Sequence, residues 1–214
     1  MRVKFKCEYN GKNFYGFQRL NGKESRRSVQ SVLEQVFSRY LGQEITINGS
    51  GRTDTGVHAR EQVCSFEINH NILCSTHDKL PNMQRAVNFT LERDFGGDVV
   101  VFDLEIAEDD FHARFSAKQK TYLYRVYVSR IKSPLREDFY HQIYEMPDLE
   151  KMRLFARENF KERVEIEHRQ DEIWFWVTGK AFQKRQVRMM IGELLTGKPQ
   201  AMPAKGLTLW SVKY

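Results

Sequence analysis

The sequence predicts an α+β fold built from two β-α-β-β-α-β halves that form one continuous, mostly antiparallel sheet, with helices on one face and a central cleft where the halves meet. Three observations predict it. Apolar residues recur with a period of two in short stretches; stretches with helical spacing and caps lie between them; and the order strand, helix, strand, strand, helix, strand occurs in residues 1–107 and again in 108–214. The chain's 214 residues suffice for one large domain or two small ones sharing a core.

Val3, Phe5, Cys7 and Tyr9 alternate with Arg2, Lys4, Lys6 and Glu8, which makes a strand with one wet face because successive side chains point to opposite sides. Asn10-Gly11 and Gly16 then loosen the backbone. Ser28 offers an N-cap to a helix carrying Val29, Val32, Leu33, Val36, Phe37, Tyr40 and Leu41 at helical spacing, and Gly42 supplies the stop. Strand signals follow at 44–48 and 62–68, with a Gly-rich connection between them. Leu80, Met83, Val87 and Thr90 mark a second helix, with Pro81 near its start, where proline is tolerated. A strand at 99–106 closes the first half. This is the ferredoxin-like pattern, two helices on one face of an antiparallel sheet.

After a long strand at 121–128 the order reappears. A strand at 139–144 precedes a helix capped by Asp148 and lined by Leu149, Met152, Phe155, Ala156 and Phe160. Strands at 164–168 and 172–177 join tightly through Arg169-Gln170-Asp171, with Ile173, Phe175 and Val177 sharing a face. A helix with Val187, Met190, Ile191, Leu194 and Leu195 leads to a last strand at 207–214.

Lys and Arg outnumber Asp and Glu by 34 to 28, an excess that favours a polyanionic partner without proving one. The densest basic stretches, 118–125 and 184–188, sit beside aromatic residues, the pairing that single-stranded or flipped bases require. Cys7, Cys64 and Cys74 are odd in number and lack C-x-x-C spacing, so they read as buried free thiols in a reducing compartment. Cys74 and His77 have a C-x-x-H look, but no second cluster completes a zinc site, and no metal is expected. No apolar run approaches the roughly 18 residues of a membrane span, and residues 1–6 lack a signal-peptide core. A soluble cytoplasmic protein is expected, with an organellar one left open although no Arg- and Ser-rich transit peptide precedes the first strand.

Gly51-Arg52-Thr53-Asp54-Thr55-Gly56 packs two glycines, two hydroxyls, a cation and a carboxylate into one connection. Alone it reads as a polar turn, because Gly, Asp and Thr are common turn formers. It lacks the Gly-Lys-Ser/Thr ending of a phosphate loop, and no paired carboxylate lies nearby for glycosidase-type chemistry.

Three further segments change its meaning: 111–125, beginning Phe111-His112-Ala113-Arg114-Phe115-Ser116; 181–192, containing Arg188; and 202–207, beginning Met202-Pro203. With the 51–59 segment and the opening Tyr9-Asn10-Gly11, Gly16-Phe17-Gln18 and Val29-Gln30, they resemble, in order, the TruA family of tRNA pseudouridine synthases over nearly the whole chain. The resemblance implies that uridine is detached at C1′, turned and rejoined through C5, with no metal or cofactor. It implies that Asp54 is the catalytic carboxylate, as nucleophile or as a base toward the ribose, and that Arg188 pairs with it and keeps it ionised. It implies that Tyr122 lies against the target base and serves proton transfer at C5, although Tyr122, Tyr124, Val126 and Val128 also alternate as a strand face would. It implies that Arg52 fills the space left by the flipped uridine. His58 and His112 read as structural hydrogen-bonding residues, and His70, His77, His141 and His168 receive no role.

The implied substrate is tRNA, in its anticodon stem-loop and with other RNA open to it, and the implied assembly is a homodimer. The competing function is a non-catalytic RNA-binding protein or RNA chaperone on the same scaffold. Phe17, Thr55 and two shortened stretches, between Tyr122 and Arg188 and between Gly192 and Met202, depart from the family pattern. They bear on how RNA is gripped more than on the reaction.

Overall fold

The computed structural model describes residues 1–19, 27–69 and 79–214. The chain divides into two compact α+β units, residues 1–117 with Tyr214 and residues 118–213.

In the first unit β1 (Arg2–Tyr9) runs antiparallel to β3 (His58–Glu67) on one side and to β4 (Val99–Ala107) on the other, and β2 (Asn48–Gly49) pairs with β3. Helices α1 (Val29–Leu41) and α2 (Lys79–Phe95) make the crossovers and pack against each other. Val3, Phe5, Cys7 and Tyr9 are buried, as their alternation requires. Phe37 of α1 sits over this face, its ring centroid 5.1 Å from Phe5 and 4.9 Å from Phe66, in the tilted geometry that ring quadrupoles favour. On β4, Asn88 of α2 bonds both the N–H and the C=O of Val101 at 2.8 Å, and Gln84 accepts from Leu104 at 3.3 Å. Helix side chains thus satisfy backbone groups of that strand, one of the coverings that keep an edge from pairing with another chain.

Ser28 caps α1 through a reciprocal box: its Oγ accepts from the Ser31 N–H, and Ser31 Oγ accepts from the Ser28 N–H, both at 3.1 Å. Gly42 ends the helix at φ +66°, a conformation that costs glycine little. Ser28→Ala is expected to lower stability by about 1 kcal/mol. The check is a denaturant midpoint that falls while the slope stays constant; an unmoved midpoint would show that the box carries nothing.

The strand expected at 44–48 is replaced by a segment that leans on α1, leaving a two-residue β2. Ile45 and Ile47 are buried as their alternation implies. Their N–H groups go to Ser38 Oγ at 2.9 Å and Glu34 Oε1 at 3.0 Å, and Gln30 Nε2 donates to the Ile47 carbonyl at 3.0 Å. Side chains of the helix supply the partners that a ladder otherwise would. Residues 108–117 pack with the first unit. There the Ala113 N–H donates to Ser65 Oγ at 3.4 Å, the Tyr214 hydroxyl donates to the Ala113 carbonyl at 2.6 Å, and the Phe111 and Tyr214 rings lie 4.9 Å apart.

In the second unit the ladder order is β9 (Leu207–Lys213), β5 (Gln119–Val128), β8 (Glu172–Gly179), β7 (Arg163–Arg169), all antiparallel. The repeat begins on β5. The strand expected at 139–144 is only β6 (His141–Ile143), which runs parallel to the end of β5. Tyr122, Tyr124 and Val126 share a buried face with Val177, Phe175 and Ile173, their register partners. Helix α3 (Leu149–Asn159) buries Met152 and Ala156, and α4 (Gln186–Thr196) buries Val187, Met190, Ile191 and Leu194. Asp148 caps α3, its Oδ1 accepting from the Lys151 N–H at 3.0 Å.

Cys7 and Cys64 are buried free thiols with sulfurs 3.9 Å apart, and burial pushes the Cys64 thiol well up, which keeps it protonated and inert. Cys74, His70 and His77 lie outside the described residues. Among the described residues no three His, Cys, Asp or Glu side chains gather as metal ligands, and no helix is long and apolar enough to cross a membrane.

Candidate active site

The connection between β2 and β3 carries Asp54 and is fastened at both ends and in its middle. Its entry is anchored at Ser50, whose N–H donates to the Val63 carbonyl at 2.8 Å and whose hydroxyl donates to Gln62 Oε1, while Gln62 Nε2 donates to the Gly51 carbonyl at 2.7 Å. Ser50 and Gln62 are fully buried, so these bonds replace water that cannot reach them. Thr53, also buried, bonds through Oγ1 to the Tyr9 hydroxyl at 2.9 Å. The exit is a turn in which the Val57 N–H donates to the Asp54 carbonyl at 3.1 Å with Gly56 at φ +78°, a dihedral suited to glycine.

A second segment backs the loop. The Phe17 N–H donates to the Thr53 carbonyl at 3.2 Å, the Gly56 N–H donates to the Phe14 carbonyl at 3.4 Å, and His58 Nδ1 accepts from the Gly11 N–H at 3.1 Å. Two glycines make the approach this close. A Cβ on Gly11 would lie 2.1 Å from the Val57 carbonyl oxygen, and one on Gly16, at φ +92°, would lie 2.6 Å from the Thr53 carbonyl oxygen. The result is a rigid loop on which Arg52 is exposed and Asp54 half-buried. Backbone fixed on both sides and one carboxylate turned to a partly wet surface suit a group that must meet a substrate in one orientation.

Tyr122 and Arg188 belong to the second unit. Tyr122 lies on β5 between Val177 and Leu209, is 7% exposed, and takes the Phe182 ring edge-on at 5.2 Å and 87°. Arg188 is half-buried in the first turns of α4. Its Nε donates to the Met202 carbonyl at 2.5 Å, and the Met202 N–H returns to the Arg188 carbonyl at 3.2 Å. Next to it the Tyr124 hydroxyl donates to the Pro203 carbonyl at 3.0 Å. Burial pushes that hydroxyl far above its ordinary range, and the Arg188 charge only partly opposes the rise, so Tyr124 acts as a neutral donor. Two glycines again permit the closeness: a Cβ on Gly206 would lie 2.6 Å from the Tyr124 ring, and one on Gly192 would lie 1.9 Å from the Gln200 carbonyl oxygen. The 181–192 and 202–207 motifs are therefore one joined structure through Arg188 and Tyr124.

Of the four residues singled out from the sequence, Arg52 and Asp54 share the first unit's loop, while Tyr122 and Arg188 occupy neighbouring elements of the second unit. The sequence does not assign Tyr9, Thr53, Gln62, Gly11 and Gly16 to the fastening of the Asp54 loop. His58, at the start of β3, accepts from the Gly11 N–H of the backing segment, and His112 accepts from the Arg114 N–H within its own turn.

Residues 7–116 match the family model described as tRNA pseudouridine synthase. The chain is 34% identical to tRNA pseudouridine synthase A of Leuconostoc mesenteroides subsp. mesenteroides, over 92% of this chain and 86% of that protein. It is 32% identical to the same-named protein of Dictyoglomus thermophilum, over 90% and 82%. Identity is 29% to tRNA pseudouridine synthase A of Wolbachia pipientis wMel, over 98% and 90%.

Proposed function

The chain belongs to the tRNA pseudouridine synthase family, and we propose that it isomerises uridines of the tRNA anticodon arm through an Asp54-dependent detachment and C5 reattachment of the base. It is an enzyme of the pseudouridine synthase class. Uridine and its product are isomers: the C1′–N1 bond breaks, a C1′–C5 bond forms, the C5 proton leaves and N1 gains one. Nothing is oxidised or reduced, and no group enters from outside. What the protein must supply is a carboxylate to act on the nucleoside, a charge to hold the extruded position open, and a group to manage the C5 proton. Asp54, Arg52 and Tyr122 take those three roles in this proposal, and Arg188 is a further substrate-binding residue. The observation that carries it is the Asp54 loop itself, fastened through Thr53, Gly51 and Gly56 while Asp54 and Arg52 stay accessible. A homodimer and a cytoplasmic location complete the reading.

The test combines purified protein with a tRNA transcript tritiated at uridine C5, and base-resolution pseudouridine mapping of RNA from cells with and without the protein. Tritium release is expected, with the lost sites in the anticodon arm. Lost sites confined to another arm or to mRNA would overturn the anticodon assignment, and no release from any tRNA would overturn the activity.

A further inference from the structure

Residues 112–116 form a turn that supports itself. The His112 N–H donates to Ser116 Oγ at 3.0 Å, and the Ser116 N–H returns to the His112 carbonyl at 2.9 Å. The imidazole Nδ1 accepts from the N–H groups of Arg114 at 3.1 Å and Phe115 at 3.4 Å, which requires the tautomer with Nδ1 unprotonated. Beneath, Ala113 is fully buried and anchored by Ser65 and Tyr214. On this brace Phe115 stands 76% exposed, its ring 4.5 Å from the imidazole and the Arg114 guanidinium 5.7 Å from its centroid.

Apolar surface left in water is unfavourable, yet here the hydrogen bonds of a whole turn hold a phenyl ring outward. We infer that Phe115 is a stacking platform for an unpaired base of the RNA substrate, with His112 as its positioning residue and Arg114 directed at the adjoining phosphate. The inference rests on the tRNA reading above and deepens it. Every base has a π face, so a single exposed ring suits stacking without sequence choice. A protein partner would need a contiguous apolar patch, whereas the groups set against the Phe115 ring are the His112 imidazole and the Arg114 guanidinium. The adjacent cation suits a polyanion.

The experiment is steady-state pseudouridine formation and direct binding with an unmodified tRNA transcript. Phe115→Ala is expected to raise KM and Kd about tenfold, in the range measured per stacked base, while kcat at saturating tRNA holds. Phe115→Leu, which keeps apolar volume but removes the π face, should behave like Phe115→Ala, and Phe115→Trp should bind at least as well as wild type. His112→Ala should raise KM in the same sense, and His112→Asn, whose Oδ1 accepts the same N–H groups, should restore it. Wild-type activity with KM unchanged in both Phe115→Ala and Phe115→Leu overturns this inference alone. Wild-type protein inactive on every tRNA overturns the tRNA reading itself.

Discussion

Asp54→Asn is expected to lower pseudouridine formation by about four orders of magnitude, the upper end of what a positioned acid, base or nucleophile supplies, while tRNA affinity and the thermal midpoint stay near wild type. The amide keeps the shape of the carboxylate but can neither attack C1′ nor take a proton from the ribose. The substitution should leave the loop standing. Its turn uses the backbone carbonyl of Asp54, and further anchors belong to Ser50, Gly51, Thr53 and Gly56. Single-turnover tritium release, with enzyme in excess, separates chemistry from product release. Retained activity would remove Asp54 from the mechanism without touching the family assignment, which stands on residues spread along the chain. Loss of activity together with a lowered thermal midpoint would instead assign Asp54 to the loop's architecture.

The sequence made local features legible and left distant partnerships hidden. The alternation of Val3, Phe5, Cys7 and Tyr9 and the caps at Ser28, Gly42 and Asp148 are written within a few residues of where they act, and all three caps take the expected geometry. Ile45 and Ile47 show the limit. Their alternation reports burial correctly, but period two does not say whether a neighbouring strand or a helix side chain takes the backbone hydrogen bonds. The start of the second repeat was misplaced for a related reason: a three-residue parallel strand and a ten-residue central one carry similar local signals. For the site, the loop's composition and the resemblance together singled out Asp54. Its fastening was not legible, because Tyr9 bonds Thr53 from another strand and Gly11 and Gly16 meet the loop by backbone approach, contacts that leave no period in the chain.

That fastening makes Gly16→Ala the second substitution with a large expected effect, about a 100-fold fall in kcat, the penalty of displacing a reacting group by roughly 1 Å. At φ +92° any side chain is strained, and the added Cβ would sit 2.6 Å from the Thr53 carbonyl oxygen and 3.3 Å from the Asp54 carbonyl carbon. Both are backbone atoms, so the clash cannot be relieved by turning a side chain. The peptide joining Thr53 to Asp54 must move, loosening the bonds from the Phe17 N–H at 3.2 Å and the Tyr9 hydroxyl at 2.9 Å. Gly42→Ala is the control. It carries the same kind of backbone strain at φ +66° with nothing within 4 Å of the added Cβ, so it should lose stability, about 1 to 2 kcal/mol, and keep its kcat. If both variants melt earlier by similar amounts and only Gly16→Ala loses turnover, the loss comes from where Asp54 is held and not from a weaker fold. If Gly16→Ala keeps kcat within about threefold of wild type, below the penalty of that displacement, the loop tolerates movement, and Asp54 acts without the rigid positioning argued for it.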